Sequence, residues 1–147
     1  VKVQSAKDMY DAVIERADSM DIIVKAAAVA DYRPKNVSSE KVKKQDGNMS
    51  IELERTDDIL KTLGERKNGQ FICGFSMETE NMLENSRKKL EKKNCDMIVA
   101  NNLKQDGAGF GGNTNIVTLI TKDDEVQLEK MTRDEVAEKI FDFILSR

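Results

Sequence analysis

Three short apolar runs constrain this chain more than any other feature. They are residues 22–28, opening Ile22-Ile23-Val24; Phe71-Ile72-Cys73-Gly74-Phe75; and Met97-Ile98-Val99-Ala100 behind Asp96. They do not alternate apolar with polar, as a strand with one wet face would. Each reads as a strand buried on both faces, and the stretches between them carry helical periodicity. Ser5, with Asp8 three positions on, has the pattern of an N-terminal capping box, and Met9, Ala12, Val13 and Ala17 follow on one helical face. Thr56-Asp57-Asp58 caps a short helix bearing Ile59, Leu60 and Leu63, and a helix starting at Thr79 or Glu80 and running to Lys93 leads into the third run. Thr132 and Glu135 open the last helix, with Val136, Ile140, Phe141 and Ile144 expected inward. Val1-Lys2-Val3 reads as the tail of a strand, and Ile51 and Leu53 alternate with Glu52 and Glu54 as a half-exposed one. Residues 116–121 and 125–129 pair across Lys122-Asp123-Asp124 as a hairpin. The expected fold is α/β: a doubly wound, mostly parallel, Rossmann-like sheet with a basic flap and a C-terminal hairpin plus helix, one domain over residues 1–147.

Composition narrows the chemistry. The 24 Lys and Arg against 27 Asp and Glu leave a net charge of −3, which argues against nucleic-acid binding by bulk positive charge. A local basic cluster can still meet a small anion. No apolar run approaches the length of a membrane span, and no secretory pattern opens the chain. Cys73 and Cys95 sit in or beside apolar runs without metal spacing, as reduced packed thiols, so a cytoplasmic setting is expected. The chain has no histidine, which removes Ser-His-Asp and Cys-His nucleophile systems and the common zinc sites. Group transfer from a nucleotide fits that limit, because it rests on positioning and charge neutralisation.

In sheets of this class ligands sit beyond the carboxyl ends of the strands. Three polar groups fall there: Asp31 after the first run, Ser76 to Thr79 after the second, and Asn101-Asn102 after the third. The first is the most informative. Ala26-Ala27-Ala28-Val29-Ala30 carries no bulk that would keep a ligand from the backbone, and it ends in Asp31-Tyr32-Arg33-Pro34. Lys41-Val42-Lys43-Lys44 follows as a basic flap that could close over an anion. Read without that ligand, the same residues are a strand, a turn and a solvated charge run. The glycine-rich residues 108–113 follow a loop and precede a strand, so they read as a flexible connection and not as a dinucleotide fingerprint.

Taken in order, these pieces resemble phosphopantothenoylcysteine synthetase, the phosphopantothenate–cysteine ligase of coenzyme A biosynthesis. The resemblance rests on Ala27-Ala28-Val29-Ala30-Asp31-Tyr32-Arg33-Pro34, the Lys41-Val42-Lys43-Lys44 flap, Asp58-Ile59-Leu60, and Gly74-Phe75 with Glu78-Thr79. It continues through Lys93-Asn94-Cys95-Asp96-Met97-Ile98-Val99-Ala100-Asn101 and Asn115. It implies a CTP-dependent reaction with Mg²⁺. The carboxylate of 4′-phosphopantothenate is activated as an acyl-cytidylate with loss of pyrophosphate, and the amine of cysteine displaces CMP. It implies nucleotide contacts at Lys25, Ala26, Ala27, Asp31, Asp57, Asp58, Ile59, Leu60, Phe75, Lys89 and Lys93, and a pantothenate contact at Ala28. Lys41 would be the flap lysine that covers the phosphates and acts in catalysis. A homodimer is implied, and in many bacteria a fusion to a flavin-dependent decarboxylase.

The departures from the family pattern are specific. Ser76-Met77 stands where two alanines are usual, and Asp57 replaces a proline. The family's front segment, with a glycine-rich turn and an Arg/Asn-bearing stretch for phosphopantothenate, lies before the position of Val1. The expectation is therefore that this chain is the C-terminal portion of a ligase domain and by itself keeps part of the nucleotide site. Lys89 and Lys93 are expected to flank the apolar face of their helix, with Lys88 and Lys92 pointing away. A helix of that length would also run back toward the amino ends of the strands. Two other readings are a non-catalytic piece that folds and pairs, and an unrelated Rossmann-like nucleotide binder.

Overall fold

In the computed structural model, which describes residues 1–44, 46–78, 80–102 and 113–147, capping chemistry fixes where the helices begin. In α1 (Ala6–Ala17) the Ser5 hydroxyl accepts from the Asp8 N–H at 3.1 Å, and the Asp8 carboxylate accepts from the Ser5 N–H at 3.0 Å. Asp58 caps α2 (Ile59–Arg66) by accepting from the Lys61 N–H at 2.9 Å. α3 (Met82–Lys92) starts later than expected. The preceding strand runs on to Glu78, and Asn81 takes a left-handed conformation (φ 49°) that no helix can pass through. Thr132 and Glu135 form the box that opens α4 (Arg133–Leu145).

The strands in chain order are β1 (Ile22–Lys25), β2 (Tyr32–Pro34), β3 (Leu53–Arg55), β4 (Phe71–Glu78), β5 (Met97–Asn102), β6 (Thr114–Asn115), β7 (Val117–Ile120), β8 (Glu125–Gln127) and β9 (Met131–Thr132). Five form the central sheet in the order β1-β4-β5-β7-β8. β1, β4 and β5 are parallel; β7 runs against β5, and β8 runs against β7. β8 therefore points the same way as β5, and β7 alone is reversed. The mostly parallel α/β sheet and the C-terminal hairpin are as expected.

Strand pleating sends alternate residues to two cores. Ile72 and Ile98 face α1, α2 and α3, where Ala17, Ile59, Leu60, Leu63 and Leu90 close over them. Cys73, Met97, Val99, Val117 and Leu119 face α4, covered by Val136, Ile140 and Ile144. Phe141 is 47% exposed, contrary to expectation. One residue past Ile140, it is turned about 100° off the apolar stripe, and Phe143 packs in its place.

Three strand expectations are also corrected. Val1 to Val3 form no strand. β3 starts at Leu53, and Ile51 is 58% exposed. β1 stops at Lys25, where its pairing with β4 ends at Gly74. The alanines beyond it have little strand preference and peel away as a loop. Among the described residues β1 has one sheet neighbour, so Val24 is 37% exposed and the run is not buried on both faces. β2 and β3 pair antiparallel as the root of an arm whose described residues are 35–44 and 46–52.

Candidate functional site

The early end of β1 creates the site. β4 continues past Gly74 through Phe75 to Glu78, paired with β5 on one side only. An open cleft of about 740 Å³ occupies the place that a longer β1 would fill. Its floor is the loop of Ala26, Ala27, Ala28, Val29, Ala30 and Asp31. One wall is Arg55, Thr56, Asp57 and the start of α2 at Asp58, Ile59 and Leu60; the other is Phe75, Met77 and the α3 side chains Asn85, Lys88, Lys89, Lys92 and Lys93. The arm is fastened at the rim. The Thr56 hydroxyl donates to the Ala30 carbonyl at 2.6 Å, the Thr56 N–H donates to the Asp31 carbonyl at 3.0 Å, and Arg33 pairs with Glu54 at 2.7 Å.

The cleft is cationic in a chain of net negative charge. Lys25, Arg55, Lys88, Lys89, Lys92 and Lys93 line it against Asp31, Asp57 and Asp58. Lys25 is half-buried and donates to the Ala27 carbonyl at 3.0 Å. Burial, with Lys89 and Lys93 nearby, lowers its pKa despite the opposing pull of Asp58 and Asp31. Lys89 donates to the Phe75 carbonyl at 2.7 Å. Lys93, at the end of α3, pairs with Asp58 at the start of α2. Burial pulls the Asp58 carboxyl up, but the Lys93 bond, the Lys61 N–H and the Lys93 and Lys25 charges outweigh it and hold it below its ordinary value. These ammonium groups are gathered and partly desolvated, which strengthens their attraction for an anion.

Every residue that the family resemblance placed in the site lines this cleft except Lys41. Lys41 lies exposed in the loop between β2 and β3, away from the cleft wall. Lys88 and Lys92 are exposed and point away from the apolar face of α3, as expected, and both also border the open cleft. Two expectations change. Ser76 was a candidate ligand group, yet it is 1% exposed and donates to Glu78 at 2.8 Å. Asn101 is buried inside β5 and does not line the cleft. Thr79 and most of the glycine-rich stretch 108–113 lie outside the described residues. Met77, from the same candidate stretch, does line the cleft, whereas Arg55, Thr56 and Asn85 were not singled out as contacts. The only sequence signal for Asn85 is its place one turn before Lys89.

Among the described residues no three acidic side chains converge to cage a metal, and no helix is long and apolar enough to cross a membrane. Comparison with known proteins places this architecture. The coenzyme A biosynthesis bifunctional protein CoaBC of Bacillus subtilis (strain 168) is 55% identical over 123 residues, which are 84% of this chain and 30% of that protein. A crystal structure of the C-terminal domain of a coenzyme A biosynthesis bifunctional protein CoaBC matches with TM-score 0.79 and 46% identity, over 98% of this chain and 63% of that one. The DNA/pantothenate metabolism flavoprotein from Streptococcus pneumoniae shares the fold, with TM-score 0.81 at 20% identity, over 99% of this chain and 72% of that one. The chain thus spans less than half the length of the curated relatives it matches. The sequence pattern of one family covers residues 1–147 throughout, and the chain belongs to that family, the DNA/pantothenate metabolism flavoprotein C-terminal domain.

Proposed function

We propose that the cleft holds the nucleoside triphosphate of a phosphopantothenate–cysteine ligase of coenzyme A biosynthesis, with CTP as the nucleotide. One observation carries the reading: the residues expected at the nucleotide, drawn from β1, α2, β4 and α3, line a single cationic cleft. Lys25, Lys89 and Lys93 neutralise phosphate charge, and the small side chains of Ala26 and Ala27 let their backbone amides come close. Asp31 accepts from a ribose hydroxyl, and Ala28 borders the acyl substrate. The carboxylate of 4′-phosphopantothenate attacks the α-phosphorus and pyrophosphate leaves. The amine of cysteine then attacks the acyl carbon and CMP leaves. Lys41 rides on the arm, and its cation arrives when the arm folds over the cleft, which favours the charge of the transition state. Mg²⁺ is bound through few carboxylates together with phosphates. Asp31 and Asp57 would hold it only in company with the triphosphate, since Asp58 is committed to Lys93 and the Lys61 N–H.

Calorimetric titration with Mg·CTP, Mg·ATP and NAD tests the reading. Saturable CTP binding that Lys93→Met weakens and NAD does not match supports it, and absence of binding at millimolar nucleotide sinks it. A second reading, pairing with another copy, is favoured by the exposure of Val37 (83%), Val42 (63%) and Met49 (70%) on the arm. Light scattering with and without nucleotide separates a nucleotide-independent dimer from a monomer.

A further inference from the structure

Among the described residues Asn85 is the one carboxamide on the cleft wall, and its orientation is fixed by its neighbours. Its Nδ2 donates to the Glu78 carboxylate at 3.2 Å and to the Glu80 carbonyl at 3.1 Å. Both partners only accept, so turning the amide over would set oxygen against oxygen twice. The carboxylate is itself held, since its other oxygen accepts from the buried Ser76 hydroxyl at 2.8 Å. Both Nδ2 hydrogens are thus used inside the protein, and the carbonyl oxygen is what Asn85 can offer to a ligand. It lines the same cleft as Phe75 and Met77 and lies one helical turn from Lys89. An oxygen fixed as an acceptor suits the amine of a base, and the lysines suit phosphates.

We infer that Asn85 reads the base of the nucleotide: its carbonyl oxygen accepts from an exocyclic amine, and Glu78 is the positioning residue that keeps it an acceptor. This rests on the reading of the cleft as a nucleotide site. It predicts discrimination between pyrimidines that differ only at one position, amino against oxo. An oxo group there would face the Asn85 oxygen with no hydrogen between them.

The test is calorimetry of this chain with Mg·CTP and Mg·UTP, on wild type, Asn85→Leu and Glu78→Gln, with circular dichroism to check folding. CTP is expected to bind wild type at least roughly ten-fold tighter than UTP. Asn85→Leu removes the acceptor at similar volume and should bring CTP down to the UTP value with UTP little changed. Glu78→Gln keeps the shape but can donate, which frees Asn85 to turn over, so the preference should shrink several-fold with the fold intact. Equal binding of CTP and UTP by wild type, or an undiminished preference in Asn85→Leu, overturns the inference and leaves the nucleotide reading standing. Failure of both nucleotides to bind overturns the two together.

Discussion

Gly64→Ala sets two effects of opposite sign against each other. Gly64 lies inside α2, where alanine is the better helix former by about 1 kcal/mol. Propensity alone therefore predicts a stabilised protein. A Cβ at this position would, however, stand 1.8 Å from the Lys93 backbone oxygen and 2.8 Å from its carbonyl carbon. These are backbone atoms at the end of α3, and no side-chain rotation relieves the overlap. The Asn94 side chain also donates to the Gly64 carbonyl at 2.9 Å, so spreading the two helices breaks that bond. Overpacking costs about 1–3 kcal/mol, and the bond adds about 1 kcal/mol. Clash and bond outweigh propensity, for a net loss of about 2 kcal/mol. At roughly 2–4 °C per kcal/mol for a chain of this size, Tm falls by roughly 4–8 °C. Urea unfolding followed by circular dichroism measures it, with Glu65→Ala on the exposed face of the same helix as the control for propensity. A Gly64→Ala protein as stable as wild type would refute the close approach of α2 to the end of α3.

Lys25→Met should leave the unliganded protein equally or more stable, since burial and two neighbouring lysines oppose its charge, and should weaken triphosphate binding by at least roughly ten-fold. Asp58 titrates below its ordinary value of 3.8, so its contribution to stability is present above that pH and is lost as pH falls through the folded value; Asp58→Asn should flatten the acid limb of a stability–pH curve. Burial pushes the Cys73 thiol up to about 12 and the Cys95 thiol up to about 11, so a thiol reagent at pH 8 should label neither until urea unfolds the chain. Thr132→Ala removes the cap of α4 and should cost about 1 kcal/mol in the same urea assay.

Local chemistry was legible in the sequence, and relations between distant elements were not. Both capping boxes and the Asp58 cap are written in neighbouring residues, so three helix starts could be read directly. The apolar runs named the strands. The extent of β1 could not be read, because it is set by where β4 stops pairing with it, and not by hydrophobicity. Phe141 fits a loose apolar pattern but not the stripe through Val136, Ile140 and Ile144, and only the packed helix decides between Phe141 and Phe143. The loop from Ala26 to Asp31 was legible as a strand end. Asn85 and Lys88 were not, because which side of α3 meets the cleft depends on how that helix lies across β4.

Lys93 shows why such relations matter for chemistry. A helix that returns toward the amino ends of the strands should carry its last lysines away from a ligand at the carboxyl ends. The geometry avoids this with a glycine. The Lys93 backbone rests against Gly64, about 9 Å along α2 from Asp58 at about 1.5 Å per residue. Side chains lean toward the N-terminus of their own helix, so an extended lysine reaches back over most of that distance, and its ammonium arrives on Asp58 at the cleft. The reach leaves little slack. Moving the end of α3 outward by the ångström or more that an alanine at position 64 requires would pull the ammonium off Asp58. Gly64→Ala should therefore weaken triphosphate binding as well as stability, although residue 64 does not line the cleft. Leu63→Ala, a cavity in the adjacent core, should lower stability by about 2–5 kcal/mol and leave affinity within two-fold in the protein that remains folded. Equal losses of affinity in the two variants would mean that general loosening, and not the placement of Lys93, sets the anion site.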